Sequence, residues 1–426
     1  MVRFGLFCPP AIGHLNPTAT LGLELQRRGH QVFFLGVPDA LAKVDHLGFT
    51  QVEIGAADYP PGYLDEIYRT LGRLTGRPGL QYTIALVKAE AEMLFREAPT
   101  AIESAGIEVL ILDQITAAMA TVADHLKRPF ITVCNALPVN REPGVPPYFT
   151  AWAYDSSPWA QGRNQIGNGL IQWLTRDLIR TLGVQRQAWN LPAYRQQGDA
   201  YSPLAQISQL PRALDFPRQR LPAHFHYLGP FQDPSGIEPI TTTAPPFPFD
   251  QLDDRPLIYA SLGTLQNQRP EIFVDIAEAC RGLEAQLVIS LGNPRAEPLT
   301  LPGNPLVVPF APHQRLIERS QLVITHAGMN TVLTALSCAK PLVTIPITNE
   351  QPGIAARVER SGTGRRLGLK QLSPSSLGRM IREVLEQPSY RARAQVLQED
   401  IARAGGVRRA AEIAEQVART HQPVVA

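Results

Sequence analysis

Little of this sequence is cysteine, and its charge has almost no net sign. Four cysteines (Cys8, Cys134, Cys280 and Cys338) are scattered over 426 residues with no paired spacing. That usage excludes a disulfide framework or a zinc ribbon and suits a reducing, cytoplasmic setting. Forty Lys and Arg against 38 Asp and Glu leave a formal charge of +2, no field for gripping nucleic acid. No apolar run approaches the roughly 20 residues that span a bilayer. The opening MVRFGLFCPPAIGHLNP is broken by a proline pair and is too weakly apolar for a signal peptide. Neither the Gly-x-Gly-x-x-Gly dinucleotide fingerprint nor a Walker loop occurs, which weakens oxidoreductase and NTPase readings. No metal or resident cofactor is expected.

What is present is an ordinary globular balance, 44% hydrophobic and 18% charged, in a chain too long for one core. The first half alternates strand-like runs with helical patterns. VRFGLFC (2–8), QVFFLG (31–36), VLILD (109–113) and FITVC (130–134) read as strands, and 15–28, 82–104 and 114–126 as helices. Such alternation predicts a parallel sheet with right-handed crossovers. Residues 138–200 differ, holding all four tryptophans with Tyr148, Phe149 and Tyr154 nearby. Either this is a helical excursion with its own small core, or its aromatic rings line an apolar cleft. On the second reading Tyr148, Phe149, Trp152 and Trp159 are the candidates to line it.

Five prolines between 234 and 248 mark a linker over 233–256. Beyond it the alternation restarts, with strands expected at 257–263, 285–292, 305–312, 322–328 and 341–346, and helices at 373–386, 389–404 and 406–420. The expected organisation is therefore an N-terminal domain (1–232), the linker, a C-terminal domain (257–405), and a helix and tail (406–426) able to pack back on the first domain. Two doubly wound α/β domains would leave a deep cleft between the carboxyl ends of their sheets.

The most informative passage runs from 310 to 364. ITHAGMNT is a buried strand ending in a tight turn that opens a helix near Met329. Free backbone N–H groups and the positive end of the helix dipole favour an anion there. His326, Asn330 and Thr331 add donors, and Gly328 admits close backbone approach. A diphosphate fits without a metal, although Asn330 and Thr331 could equally cap the helix. Glu350 and Gln351, after the PLVTIP strand, offer a carboxylate and an amide for sugar hydroxyls. Thr264 in ASLGT follows the domain's first strand, where phosphates are often met.

Taken together, THAGMNT followed by NEQ resembles the donor signature of the UDP-glycosyltransferase superfamily, a THxGxNS/T element followed by an acidic residue and Gln. HAGMNTVL and QPGIAARV are most similar to the bacterial carotenoid (zeaxanthin) and macrolide glycosyltransferase branch. The resemblance runs from GHLNP to AGGVRRAAEIAE, loosely over 138–250 and tightly over 255–415. It implies a GT-B fold with two Rossmann-like domains, and a nucleotide sugar, UDP- or TDP-glucose, as co-substrate. By the same resemblance His326, Gly328, Asn330 and Thr331 clamp the diphosphate, with Thr264 beside it. Glu350 and Gln351 hold the sugar, Phe310 stacks on the base, and His313 stands in the usual Gln position. One departure is Thr334 in VLTAL, where the family commonly has a carboxylate for the ribose. A hydroxyl cannot replace that charge-assisted contact, so UDP need not be strongly preferred over TDP.

The resemblance also matches His14 of GHLNP to the catalytic histidine and Asp113 to its partner. An alcohol attacks only as its proton is removed, and a histidine near pKa 6.5 suits that task. His14 follows the first strand and Asp113 ends another, so parallel strands bring both to one edge. A direct displacement with inversion onto a small apolar acceptor (a carotenoid, sterol, flavonoid or macrolide) is implied. Rival readings are an epimerase or phosphorylase of the same architecture, or a non-catalytic lipid or pigment carrier. Arginines from Arg357 to Arg409 read as solvated helix faces, with peripheral attraction to an anionic membrane as the alternative.

Overall fold

The computed structural model describes all residues except 75, 234–239, 241–245, 266 and 298, so most of the expected linker's proline-rich part lies outside the described residues. The first half comprises β1 (Arg3–Phe7), α1 (Ile12–Arg27), β2 (Gln31–Gly36), α2 (Pro38–Val44), β3 (Thr50–Glu53), α3 (Tyr63–Arg73), α4 (Gly76–Ala105), β4 (Val109–Asp113), α5 (Ala117–His125), β5 (Phe130–Cys134), α6 (Pro158–Leu174), α7 (Arg176–Ala188), β6 (Gln206–Ser208) and β7 (Phe225–Tyr227). The second comprises β8 (Leu257–Ser261), α8 (Pro270–Cys280), β9 (Gln286–Ser290), β10 (Leu306–Val308), α9 (His313–Arg319), β11 (Ser320–Thr325), α10 (Met329–Ser337), β12 (Leu342–Thr344), α11 (Gln351–Ser361), β13 (Gly364–Arg366), α12 (Pro374–Glu386), α13 (Pro388–Arg403) and α14 (Gly406–Thr420).

Among the described residues these strands form two sheets with matching strand orders, β3-β2-β1-β4-β5-β6-β7 and β10-β9-β8-β11-β12-β13. Every pairing is parallel. The central strands LIYAS, VLILD and FITVC are buried at every residue, as a sheet covered on both faces requires. This is the doubly wound architecture expected from the alternation, and it agrees with the GT-B fold that the resemblance implies. Strand order reverses beside β1 and β4 in one sheet and beside β8 and β11 in the other. Such switch points leave a crevice at the carboxyl edge. Phe7 pairs with Leu112 and Ser261 with Thr325, so the loops after each pair leave their sheet at the same level.

Six residues of α14 (Val407, Ala410, Ala411, Ile413, Ala414 and Val417) share a core with Phe4 and Leu6 of β1 and with Leu15, Leu21 and Leu25 of α1. The chain's end stays on this half, with the Val424 N–H donating to the Leu204 carbonyl.

The two halves also meet through a buried charge cluster. Asp215, after β6, accepts from Arg357 of α11 at 2.8 Å and from Arg218 at 3.0 Å, and Tyr227 donates to it at 2.7 Å. These three charged side chains are 1%, 2% and 4% exposed for Asp215, Arg357 and Arg218. Burial pushes the Asp215 carboxyl up, but the two guanidiniums and the Tyr227 hydrogen bond overcome that and hold it down at about 2. Its contribution to stability is therefore complete above the usual carboxylate range and is lost as pH falls toward 2.

Asp215→Asn leaves two buried guanidiniums without a counter-charge and is expected to destabilise the protein by about 3–5 kcal/mol. A urea unfolding curve checks this: the midpoint falls well below wild type. An unchanged midpoint would show that the cluster does not hold the halves together.

Candidate active site

Both switch points face the crevice, and most of the residues singled out in the sequence lie on them. His14 is not in a loop: α1 begins three residues earlier than its pattern suggested, and His14 occupies its first turn. Asp113 ends β4. The His14 Nδ1 lies 2.7 Å from Asp113 Oδ2, with the two side chains 20% and 2% exposed. Asp113 is itself held, accepting from Asn135 Nδ2 at 2.7 Å and from the Ile115 N–H at 3.1 Å. Asn135 also donates to Thr18 Oγ1 at 3.0 Å. A carboxylate at Nδ1 assigns that nitrogen the proton and leaves Nε2 as the basic atom. Burial alone would depress the His14 pKa, but the charge and hydrogen bond of Asp113, with smaller help from Glu350 and Glu90, raise it above the ordinary histidine value.

Across the crevice, His326 follows β11 and is buried. Its ring lies between two glycines: a Cβ at Gly263 would stand 2.5 Å from it and one at Gly328 2.6 Å. Burial pushes its pKa down to about 4, so the ring is neutral near pH 7. Ala327, beside it, has φ 68°, the tight left-handed turn that aims the loop into α10. Gly328 is the N-cap of α10, and no side chain caps it. The free N–H groups and dipole of that terminus are thus left for an anion. Thr331 is buried in the first turn, and Thr264 is half-buried after β8.

Asn330 has a different partner from either expected one. Its Nδ2 donates to the Gly13 carbonyl at 3.1 Å, joining one switch point to the other. The reason is Pro17 inside α1. Proline has no N–H to return to the carbonyl four residues back, which is that of Gly13. The GHLNP motif thus frees an acceptor beside His14, and α10 supplies the donor.

Thr334, one turn further along α10, is buried and accepts from Gln232 Nε2 at 3.2 Å. Glu350 is the N-cap of α11; burial raises its carboxyl, and Asp113 adds to this while His14 opposes it. Gln351 Oε1 accepts from the Ile347 and Thr348 N–H groups at 2.8 and 3.0 Å, shaping the loop after β12. Phe310 is half-buried, and His313 begins α9 with its ring 5.8 Å from that of Tyr259. Burial pushes His313 down to about 4.

The aromatic candidates separate. Tyr148 is half-buried and edge-on to Phe149 at 5.4 Å, and burial, with a smaller effect of the Glu350 charge, raises its hydroxyl pKa. Its carbonyl oxygen lies 2.2 Å from where a Cβ would stand on Gly353 of α11. Trp152 packs on Gly167 of α6. Trp159, expected in the cleft, is instead 71% exposed on α6, because that helix buries a different face (Ala160, Asn164, Gly167 and Ile171).

Glu90 on α4 was missed. It is half-buried, and burial, then the Asp113 charge, push its carboxyl up to about 7 while His14 draws it down. Nothing in KAEAEML separates this glutamate from its exposed neighbours. Asn135 was legible in principle, as a polar residue directly after a mostly apolar strand. A hollow of about 410 Å³ bordered by Arg255, Arg281 and Asn304 lies at the opposite, amino edge of the second sheet, away from all these groups.

Comparison with known proteins agrees with the geometry. The family described as UDP-glucoronosyl and UDP-glucosyl transferase matches residues 213–400. The chain is 35% identical to a zeaxanthin glucosyltransferase of Pantoea ananas, covering 100% of this chain and 98% of that one. It is 33% identical to a zeaxanthin glucosyltransferase of Pseudescherichia vulneris, covering 98% of each. Among solved structures, the glycotransferase of kitacinnamycin superposes with a TM-score of 0.72 at 19% identity, over 97% of both chains.

Asp113→Asn removes the charge that outweighs burial at His14, so the His14 pKa should fall. The acid limb of the kcat/KM profile then moves to lower pH while the plateau drops by on the order of a hundredfold or more, through loss of the fixed tautomer. A pH–rate profile of the variant checks this; an acid limb that stays in place would detach Asp113 from the titration of His14.

Proposed function

Because this chain belongs to the UDP-glucoronosyl and UDP-glucosyl transferase family, we propose that it moves glucose from a UDP- or TDP-activated donor to a hydroxyl of a carotenoid-type acceptor, with His14 as general base. It is a nucleotide-sugar-dependent glycosyltransferase; the donor, acceptor and mechanism are the proposed part. The observation that carries the mechanism is the His14–Asp113 pair at one switch point, opposite the uncapped N-terminus of α10 at the other.

In this reading the acceptor hydroxyl gives its proton to His14 Nε2 as its oxygen attacks the anomeric carbon. The bond from that carbon to the diphosphate oxygen breaks on the opposite face, so the configuration inverts. Asp113 stabilises the imidazolium that forms. The α10 terminus, with neutral His326 and the Thr331 hydroxyl, stabilises the charge gathering on the departing diphosphate. Glu350 and Gln351 at the start of α11 face the sugar, and Tyr148 and Phe149 border the acceptor. Phe310 and His313 stand on the side of the base, and Thr264 stands by the phosphates. No resident cofactor enters the chemistry. The domains divide the labour as their motifs suggest, residues 1–232 taking the acceptor and 257–405 the donor. The acceptor class rests on the two zeaxanthin glucosyltransferase relatives.

At Thr334 the reading departs from a UDP-specific enzyme. Its hydroxyl already accepts from Gln232, and no carboxylate stands there to grip two ribose hydroxyls. Incubation with zeaxanthin and either UDP-glucose or TDP-glucose is expected to give a glucoside from both donors, within about tenfold of each other. Thr334→Glu should shift the ratio toward UDP by about tenfold or more. Absence of any glucoside from either donor, with zeaxanthin or with simpler apolar alcohols, would overturn the proposal.

A further inference from the structure

α6 carries two apolar faces and buries only one. Ala160, Asn164, Gly167 and Ile171 point into the protein. Trp159, Ile166, Leu170 and Trp173 form a second stripe, 71%, 77%, 52% and 53% exposed. At 100° per residue the exposed four fall within about 60° of one another, roughly 120° from the buried four. The stripe is about 21 Å long, with Gly162 and Arg163 on the same face in the turn between Trp159 and Ile166. Scattered single exposures are ordinary, but a stripe of this kind marks an interaction surface.

The charge around the stripe indicates what covers it. The guanidinium of Arg163 lies 5.4 Å from the Trp159 ring centre, and that of Arg176 lies 4.8 Å from the Trp173 ring. Arg180 is 76% exposed at the same end, and Asp177 is the one acidic side chain of α6 and α7. Indole rings under guanidiniums, at both ends of an apolar stripe, suit a bilayer interface, where rings sit at headgroup depth and cations meet anionic phosphates. No helix among the described residues is long and apolar enough to cross a membrane, so the fit is to lying on a surface. A second copy of the chain fits less well, because a two-fold contact would bring the same arginines against each other.

We propose that the outer face of α6 docks this enzyme onto an anionic lipid bilayer. Gly167, on the buried side of the same helix, packs against Pro147 and Trp152, in the segment that carries Tyr148 and Phe149. Docking by α6 therefore sets the acceptor side of the crevice close to the lipid, where an apolar acceptor is dissolved. The surface stands on the helix itself and does not depend on which acceptor is used.

Co-sedimentation with vesicles tests it. Wild-type protein is expected to pellet with phosphatidylglycerol-containing phosphatidylcholine vesicles, less with pure phosphatidylcholine, and less again as salt is raised. The triple variant Ile166→Gln/Leu170→Gln/Trp173→Gln should partition at least about tenfold more weakly, with an unchanged melting temperature because all three side chains are exposed. Failure of wild type to pellet with the anionic vesicles, or equal pelleting of the variant, would overturn the proposal. So would a wild-type dimer that the variant dissolves without any vesicle binding, which would give the face to a second copy. Glucosyl transfer to a water-soluble phenol, measured in parallel, reports on the enzymatic reading separately: its loss leaves the vesicle result standing.

Discussion

The two halves can form one crevice only if α11 is seated against the first of them, and a buried carboxylate seats it. Asp215 belongs to the first half and Arg357 to the second, and neither can be left in a dry interior without the other. Because Arg218 also turns to Asp215 while donating to the Asn140 and Pro138 carbonyls, the cluster ties α11 to the strand-end segment of the first sheet. Arg357 lies less than two turns from Gln351 and Glu350, so the same constraint that joins the halves fixes where the start of α11 points. Gly353 lies between them, against the Tyr148 carbonyl. The groups proposed for the sugar and those proposed for the acceptor are thus both packed against one helix.

The second tie runs between the switch points. Doubly wound topology dictates that β1 and β4 deliver side chains to one edge, and β8 and β11 do the same in the other sheet. What makes the two edges one site is the Asn330 amide on the Gly13 carbonyl. That carbonyl is available because Pro17 cannot satisfy it. A residue that would ordinarily weaken a helix here opens a contact one residue from the proposed base. The electrostatics follow from the same closure. His14, Glu350 and Glu90 all have pKa values moved upward by negative neighbours, by burial, or both, whereas His326 and His313 are driven neutral by burial. The two histidines after β11 and at the start of α9 are therefore neutral near pH 7, whereas the groups raised in pKa gather around His14 and the start of α11.

Much of the fold was legible. Apolar runs such as VLILD and FITVC form strands with the bounds read from the sequence, and α14 begins and ends where its periodicity does. The three-residue strands β6, β7 and β13 are too short for any period to show, and β3 is mostly exposed, so its TQVE carries no apolar run. That His14 and Asp113 reach one sheet edge follows from parallel topology, and their pairing from the resemblance. Contacts between the halves could not be read that way. Asn330 looks like a cap or a ligand in its own segment, and its partner is 317 residues away. Thr334 reads as a missing carboxylate, and only the fold shows Gln232 on its hydroxyl. Trp159 misled because aromatic composition does not state which face of a helix is buried; the spacing of Ala160, Asn164, Gly167 and Ile171 carried that information.

The central claim is that His14 removes the acceptor proton while the second half alone holds the donor. The most direct measurement is on His14→Ala, comparing turnover with calorimetric binding of UDP. A kcat lower by on the order of a thousandfold, with UDP affinity unchanged, is the predicted result. Turnover within about tenfold of wild type would contradict the assignment, because a general base contributes about a hundredfold or more.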